Sequence, residues 1–174
     1  MRLTWFLLAL LMAFTGCVET HHVQRAAGAT SPLSRQASAY IGVPQDGSYG
    51  STPYHGSGAL AAQAVAAAFA PYVTRVTVGI RMENFASALA MAKAGGYSYF
   101  LYPEILHWED RATEWSGKPD VVSVKVSIVG TEAGNILDSA VVGGTSSLWT
   151  FGGDRPEHLL PKPLSDYAAS LFGK

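Results

Sequence analysis

The sequence predicts a single α/β domain with a mixed sheet of about five strands, in the order β-α-β-α-β-β-β-α. In the first half, β-branched runs alternate with runs of helical period, which is typical of βαβ units and a parallel sheet. In the second half, two strand-like runs flank a glycine-containing turn at 130–134, which indicates an antiparallel hairpin. The 174 residues, 48% of them hydrophobic, are enough for one core. We therefore expect one folded domain over residues 38–174.

The elements of the first half follow from turn residues and from apolar spacing. Ser57 and Asn84 each precede a helical pattern and are candidate N-caps, because their side-chain oxygens can accept a free backbone N–H. Pro44 stops the first strand, and Gly95-Gly96 ends the second helix. The predicted elements are a strand over 38–43, a helix over about 59–72, a strand over 73–80 and a helix over 85–94.

The elements of the second half have stronger patterns. Residues 97–108 are apolar on both parities, which predicts a central strand covered on both faces. Residues 121–129 place valines and an isoleucine on alternate positions and lead through the turn into a returning strand over 135–142. Gly143-Gly144 then indicates a bulge or a close backbone approach. A last helix over 163–172 carries an apolar stripe formed by Leu164, Tyr167, Ala168 and Leu171.

The N-terminus has the features of an export signal. Arg2 precedes an apolar run over 3–14, which is too short for a stable membrane span but has the size of a signal-peptide core. Thr15-Gly16 lead into Cys17, so the stretch resembles a bacterial lipobox, with Phe14 where leucine is usual. The resemblance implies a signal peptide over 1–16 and a diacylated Cys17 that anchors the chain. An ordinary signal peptide or an apolar N-terminal helix is the alternative.

The residue after the cysteine bears on localisation. It is Val18 rather than aspartate, which by resemblance to enterobacterial sorting signals implies an outer-membrane lipoprotein facing the periplasm. Residues 17–37 show no convincing period, and we expect an acylated flexible tether. His21-His22 lie in this tether and are expected to be solvated rather than metal-bound.

Composition excludes several classes of function. Twelve Lys and Arg against thirteen Asp and Glu give a net charge of −1, which offers no basic surface for nucleic acid. A single cysteine excludes an internal disulfide framework and a cysteine-based zinc cluster. We expect no cofactor and no metal.

The loop over 47–58 is the first candidate site. It precedes a helix N-terminus, where free backbone N–H groups can hold an anion, but it lacks both the P-loop lysine motif and the G-x-G-x-x-G register. The alternative is a turn-rich connection capped by serine. If the loop binds a small ligand or glycan, the expected ligand-binding residues are Tyr49, Tyr54, His55 and Ser57.

A second candidate site lies at the end of the 97–108 strand. Glu104, His107 and Glu109 offer carboxylates and an imidazole for acid–base work. In a regular strand, however, Glu104 and His107 point to opposite faces. The alternative is a charged strand end, and a hydrolase is the least favoured function. No catalytic residue is assigned.

Aromatic residues near the strand ends form the third candidate site. Tryptophan and arginine are the types that anchor protein interfaces. The expected partner-binding residues are Trp108, Arg111, Trp115 and Trp149, with an envelope protein as the partner. The alternative is that these aromatics cover the sheet end as core.

Five short runs carry a family resemblance, namely 46–50, 54–58, 108–111, 114–120 and 152–156. They resemble a family of Gram-negative lipoproteins known only as a domain of unknown function. The element order also resembles the small α/β domain of the TolB amino-terminal, CsgG-like and LpoB-like envelope proteins, which implies an assembly or activator module rather than an enzyme. We therefore expect a non-enzymatic partner-binding lipoprotein, with a ligand or glycan binder as the alternative.

Overall fold

The computed structural model describes residues 19–28, 32–110, 118–147 and 155–173. These form a mixed six-stranded sheet in the order β1-β8-β7-β6-β2-β5, a two-stranded hairpin β3-β4, and three α-helices. The class is the expected α/β, with one strand more in the main sheet. The strands are β1 Thr20–Ala27, β2 Ser38–Val43, β3 Ser48–Tyr49, β4 Thr52–Pro53, β5 Arg75–Met82, β6 Tyr99–Glu109, β7 Val121–Gly130 and β8 Ile136–Thr145, and the helices are α1 Ser57–Phe69, α2 Phe85–Ala94 and α3 Pro161–Leu171.

The predicted parallel start is confirmed. β2 lies between β5 and β6 and is parallel to both. Helices α1 and α3 cover one face of the sheet, and α2 covers the other. The central strand β6 is buried on both faces, because Leu101 packs towards α1 whereas Phe100 and Tyr102 pack towards α2.

The hairpin and the closing helix are also confirmed. β6, β7 and β8 pair antiparallel in sequence order. The four alternate apolar side chains of β7 are fully buried, as is most of the α3 stripe. Burial of each such aliphatic or aromatic side chain stabilises the fold by about 1.5–3 kcal/mol. Among the residues described, no helix is both long and apolar enough to cross a bilayer.

The flexible-tether prediction is wrong for Thr20–Ala27. These residues form strand β1, which pairs antiparallel with β8 from Thr20 opposite Thr145 to Ala27 opposite Ser139. Two glycines of β8 make room for this strand: a Cβ on Gly143 would lie 2.2 Å from the Val122 carbonyl oxygen and 2.9 Å from the His22 ring. His21 and His22 therefore lie in the sheet rather than in a linker.

The two predicted helix caps have different outcomes. Asn84 caps α2, since its side chain accepts the Ser87 N–H at 2.9 Å. Ser57 does not cap α1. The N-cap is Gly56, with a left-handed φ of 89° that favours glycine, and Ser57 is the first helical residue. After Phe69 the helix continues as the 3₁₀ turn Ala70–Tyr72.

Candidate functional site

The loop before α1 is held by its own acidic side chain. The Asp46 carboxylate accepts the N–H groups of Gly56 and Gly58 at 3.0 and 2.9 Å. The Ser57 hydroxyl accepts the Gly47 N–H at 2.8 Å. The Asp46 carboxylate therefore occupies the N-terminus of α1, and the N–H groups of Gly56 and Gly58 are bonded within the chain rather than open to an external anion.

The four predicted ligand-binding residues do not form one surface. The side chain of His55 is 87% exposed, whereas Ser57 is buried and serves the loop. Tyr49 and Tyr54 lie against the end of β6. The Tyr49 ring meets His107 edge-on at 5.3 Å between centroids, and the Tyr54 hydroxyl accepts the Asp110 N–H at 3.3 Å.

The structure brings together part of the predicted acid–base set. His107 Nε2 lies 2.9 Å from Glu109 Oε2. The Glu104 carboxylate instead accepts from Lys125 Nζ at 2.9 Å on the neighbouring strand. An imidazole held by a carboxylate and touched by Tyr49 is an arrangement that can position a ring against a polar ligand.

A break in the β6–β7 register corrects the face assignment in β6. The pairing shifts between Ile105 and His107. Ile105 and Trp108 both pack into the core on the α1 side, although a regular strand would put them on opposite faces. The expectation that Glu104 and His107 face opposite sides is therefore wrong. Over the residues described, no group of three His, Cys, Asp or Glu side chains is arranged to hold a metal ion.

The same break decides the role of Trp108. The residue is 2% exposed and packs beside Gly47, where an added Cβ would lie 2.8 Å from the Trp108 Cβ. Its predicted role as an exposed interface residue is wrong, because the break turns it into the core. The other predicted interface residues, Arg111, Trp115 and Trp149, lie outside the residues that the structure describes, as does Cys17.

Edge strand β5 carries an apolar surface that the sequence analysis missed. Ile41 of β2 pairs with Val78, but Val43 pairs with Met82. Over this stretch β5 therefore has two residues more than β2, and it bulges at Gly79–Arg81. The bulge leaves Ile80 100% exposed and Met82 57% exposed. A cleft of about 350 Å³ lies beside it, between β5 and the start of α1. A glycine inside a β-branched run is the sequence signal for such a bulge.

A larger cleft lies at the opposite end of β6. It has a volume of about 670 Å³ and lies between the end of α2 and the β7–β8 turn. The Thr131 hydroxyl donates to the carbonyl oxygens of Tyr97 and Ser98 in its wall. Neither this cleft nor the smaller one is lined by Tyr49 or Tyr54.

A buried polar cluster fixes the N-terminal strand. Asp138 of β8 has a fully buried side chain that accepts from Arg25 of β1 and from the Tyr167 hydroxyl of α3, the latter at 2.7 Å. Burial, and then the bond to Asp138, raises the pKa of Tyr167, and the bond to Asp138 raises the pKa of Arg25. The cluster joins three elements that are distant in sequence.

Comparisons with known proteins agree with this fold. A family model described as a domain of unknown function (DUF4823) matches residues 31–171. Among solved structures, a dodecamer of a PelC variant from Paraburkholderia phytofirmans has a TM-score of 0.68 at 16% identity, covering 89% of this chain and 100% of that one. A second PelC dodecamer from that organism has a TM-score of 0.63 at 18% identity, covering 84% and 96%.

A Xanthomonas campestris protein of the DUF330 family is a more distant likeness. Its TM-score is 0.53 at 12% identity, covering 84% of this chain and 91% of that one. No curated protein sequence matches significantly. At such identities the structural likenesses establish the shared fold, which does not carry function with it.

Proposed function

The chain belongs to the DUF4823 family, and we propose that it is a lipid-anchored outer-membrane protein of the periplasm that acts by binding a protein partner, without enzymatic activity. The exposed apolar bulge on edge strand β5 is the observation that carries this proposal. The lipobox-like stretch ending at Cys17 supports the anchor.

An open edge strand is a ready template for pairing. Among the residues described, β5 has a neighbouring strand on one side only, and proteins usually blunt such edges with charge, proline or bulges. Here the bulge exposes Ile80 completely, with Met82 close behind it, rather than hiding apolar surface. Exposed apolar side chains beside an open strand edge fit partner binding by strand addition.

The partner we favour is a second copy of the chain. The two PelC structures that share this fold are dodecamers. In the sheet formed by the described residues, β1 and β5 are the two edges, and the strand directions make β5 of one copy antiparallel to β1 of the next. Such a head-to-tail contact is heterologous and closes into a ring when the rotation between copies allows it.

The test compares two matched substitutions in the detergent-solubilised, acylated protein. Ile80→Lys places a charge on the β5 bulge, and Ile136→Lys places one on an equally apolar residue that is 59% exposed at the start of β8. Light scattering after gel filtration should show association weakened about tenfold or more for Ile80→Lys only, as a lost apolar contact of ~1.4 kcal/mol predicts. A monomeric wild type, or equal effects of both variants, contradicts self-association through β5.

The anchor has a separate test. Radiolabelled palmitate should enter the wild type and should not enter Cys17→Ala. Equal labelling of the two proteins contradicts the lipid anchor without touching the partner-binding proposal.

A ligand or glycan binder is the second candidate, favoured by the contact between Tyr49 and His107. Exposed aromatic rings beside a polar side chain are suited to sugar faces. Glycan arrays should then show binding that Tyr49→Ala abolishes and that Tyr72→Ala leaves unchanged, since Tyr72 stacks on Phe172 at the far end of α1. Absence of any glycan signal for the wild type contradicts this candidate.

A further inference from the structure

We propose that the end of the sheet at which β1 begins lies directly against the bilayer, so that the domain contacts the membrane instead of being held away from it by a long flexible linker. This inference rests on the lipid anchor of the proposed function. Its occupant is the lipid surface that holds the acylated Cys17.

The chain between the anchor and the sheet is very short. Three residue steps separate Cys17 from Thr20, and an extended chain covers at most about 3.6 Å per residue, or about 11 Å in all. Thr20 is already paired with Thr145 of β8. The first residue of the sheet is therefore held within about 11 Å of the acylated cysteine.

Strand β1 is not free to peel away and lengthen this connection. Arg25 is bonded to the fully buried Asp138, which also accepts from Tyr167 of α3. Near the start of the strand, Gly143 and Gly144 let β1 approach β8 closely, with Thr20 O 3.0 Å from where a Cβ on Gly144 would lie. Detaching β1 would take the Arg25 guanidinium away from a fully buried carboxylate, which is strongly unfavourable, so the short connection persists in the folded protein.

Strand register identifies what else lies at this end. Thr145 is opposite Thr20 in β1 and Val121 in β7, and Val121 is opposite Glu109 in β6. These residues form one row across four strands, with the Tyr49–His107 contact beside it. The β7–β8 turn is at the other end, about 33 Å away along the ten residues of β7. The cleft of about 670 Å³ beside that turn therefore faces away from the membrane.

This placement constrains assembly. Because the strands stand on the membrane, the two open edges, β1 and β5, face sideways in the membrane plane. Copies anchored in one leaflet would then meet edge to edge without leaving it. The contact between this end of the sheet and the bilayer follows from the covalent anchor rather than from charge, so membrane binding should not weaken at high salt.

The test measures depth at the two ends of the sheet. The acylated protein is placed in phosphatidylethanolamine–phosphatidylglycerol vesicles with a spin-labelled headgroup, and a thiol-reactive fluorophore is attached at Asp110→Cys or at Ala133→Cys. Both positions are exposed, and Cys17 is blocked by its lipid. Quenching should be about threefold stronger or more at position 110, because about 33 Å separate the ends. Equal quenching at the two sites overturns the proposal.

Two further variants separate the inference from the anchor. A flexible insertion of about 15 Gly/Ser residues between Val18 and Glu19 adds roughly 20 Å of reach without touching the fold. It should keep vesicle binding and reduce the quenching at position 110, and unchanged quenching contradicts the short-connection argument. Cys17→Ser should abolish vesicle binding altogether. If Cys17→Ser binds vesicles as the wild type does, the lipid-anchor proposal is wrong. That result differs from the one for an anchored protein whose other end faces the bilayer, which would bind only with Cys17 and would show no stronger quenching at position 110.

Discussion

Replacing Asp138 with asparagine should loosen the N-terminal strand more than any comparable surface change. Asp138→Asn keeps the shape of the side chain and removes its charge. The asparagine carbonyl oxygen can still accept from Arg25, and its NH₂ group can donate to the Tyr167 hydroxyl oxygen, so the hydrogen bonds can be remade but the carboxylate charge is lost. The substitution therefore removes the buried negative charge that pairs with the Arg25 guanidinium, in a cluster that joins β1, β8 and α3.

The size of the effect follows from burial. Breaking a buried charge pair costs about 3–5 kcal/mol. The Asp138 side chain is fully buried, whereas the Arg25 side chain is 34% exposed and water can partly resolvate it, so we expect the lower end, about 3 kcal/mol. For a domain of this length that loss lowers Tm by about 6–12 °C.

Urea unfolding of the Cys17→Ser protein measures this loss, and hydrogen exchange of the β1 amides localises it. The matched control is Asp166→Asn, because Asp166 pairs with Lys162 at 2.8 Å on an exposed helix face. The control should cost no more than about 0.5 kcal/mol. If the two asparagine variants lie within about 0.5 kcal/mol of each other, the account of the buried cluster is wrong.

Three further predictions concern packing and pH. Gly143→Ala should destabilise the fold by about 2 kcal/mol or more in thermal unfolding, because the added Cβ would lie 2.2 Å from the Val122 carbonyl oxygen; a neutral effect would contradict the close approach. Trp108→Ala should lower the unfolding free energy by about 3–5 kcal/mol, since the residue is 2% exposed. An unchanged urea midpoint would contradict the burial of Trp108. Raising the pH above 10 should lower the unfolding free energy, because folding raises the pKa of Tyr167 above its ordinary 10.0 and the unfolded chain releases that proton first. Tyr167→Phe should flatten this decline by at most about 1.4 kcal/mol per pH unit, and an equal slope in both proteins would refute the assignment.

Local patterns were sufficient where one element buries one regular face. The spacing of Leu164, Tyr167, Ala168 and Leu171 predicts the buried side of α3, and all four are in the core. Alternation in residues 121–129 likewise predicts the buried face of β7. In these elements the period of the backbone and the period of the hydrophobic residues coincide, so the sequence contains the answer.

The candidate site depended on breaks in that period. A register shift between Ile105 and His107 buries Trp108 and changes the face on which His107 and Glu109 meet. A second shift lets β5 bulge and exposes Ile80. The alternation of apolar and polar residues in one strand does not predict where a bulge inserts an extra residue, because that position depends on the pairing with the neighbouring strand.

By itself the sequence determined the α/β class, the parallel start, the hairpin and the Asn84 cap, because each depends on residues adjacent along the chain. The tertiary structure alone decided that Thr20–Ala27 is a sheet strand. That segment has no hydrophobic period of its own. It is a strand because the glycines of β8 let it approach closely and because Asp138, more than a hundred residues away, accepts a hydrogen bond from its Arg25. The free energy of such a strand comes from distant partners, and a distant partner leaves no mark on the local pattern.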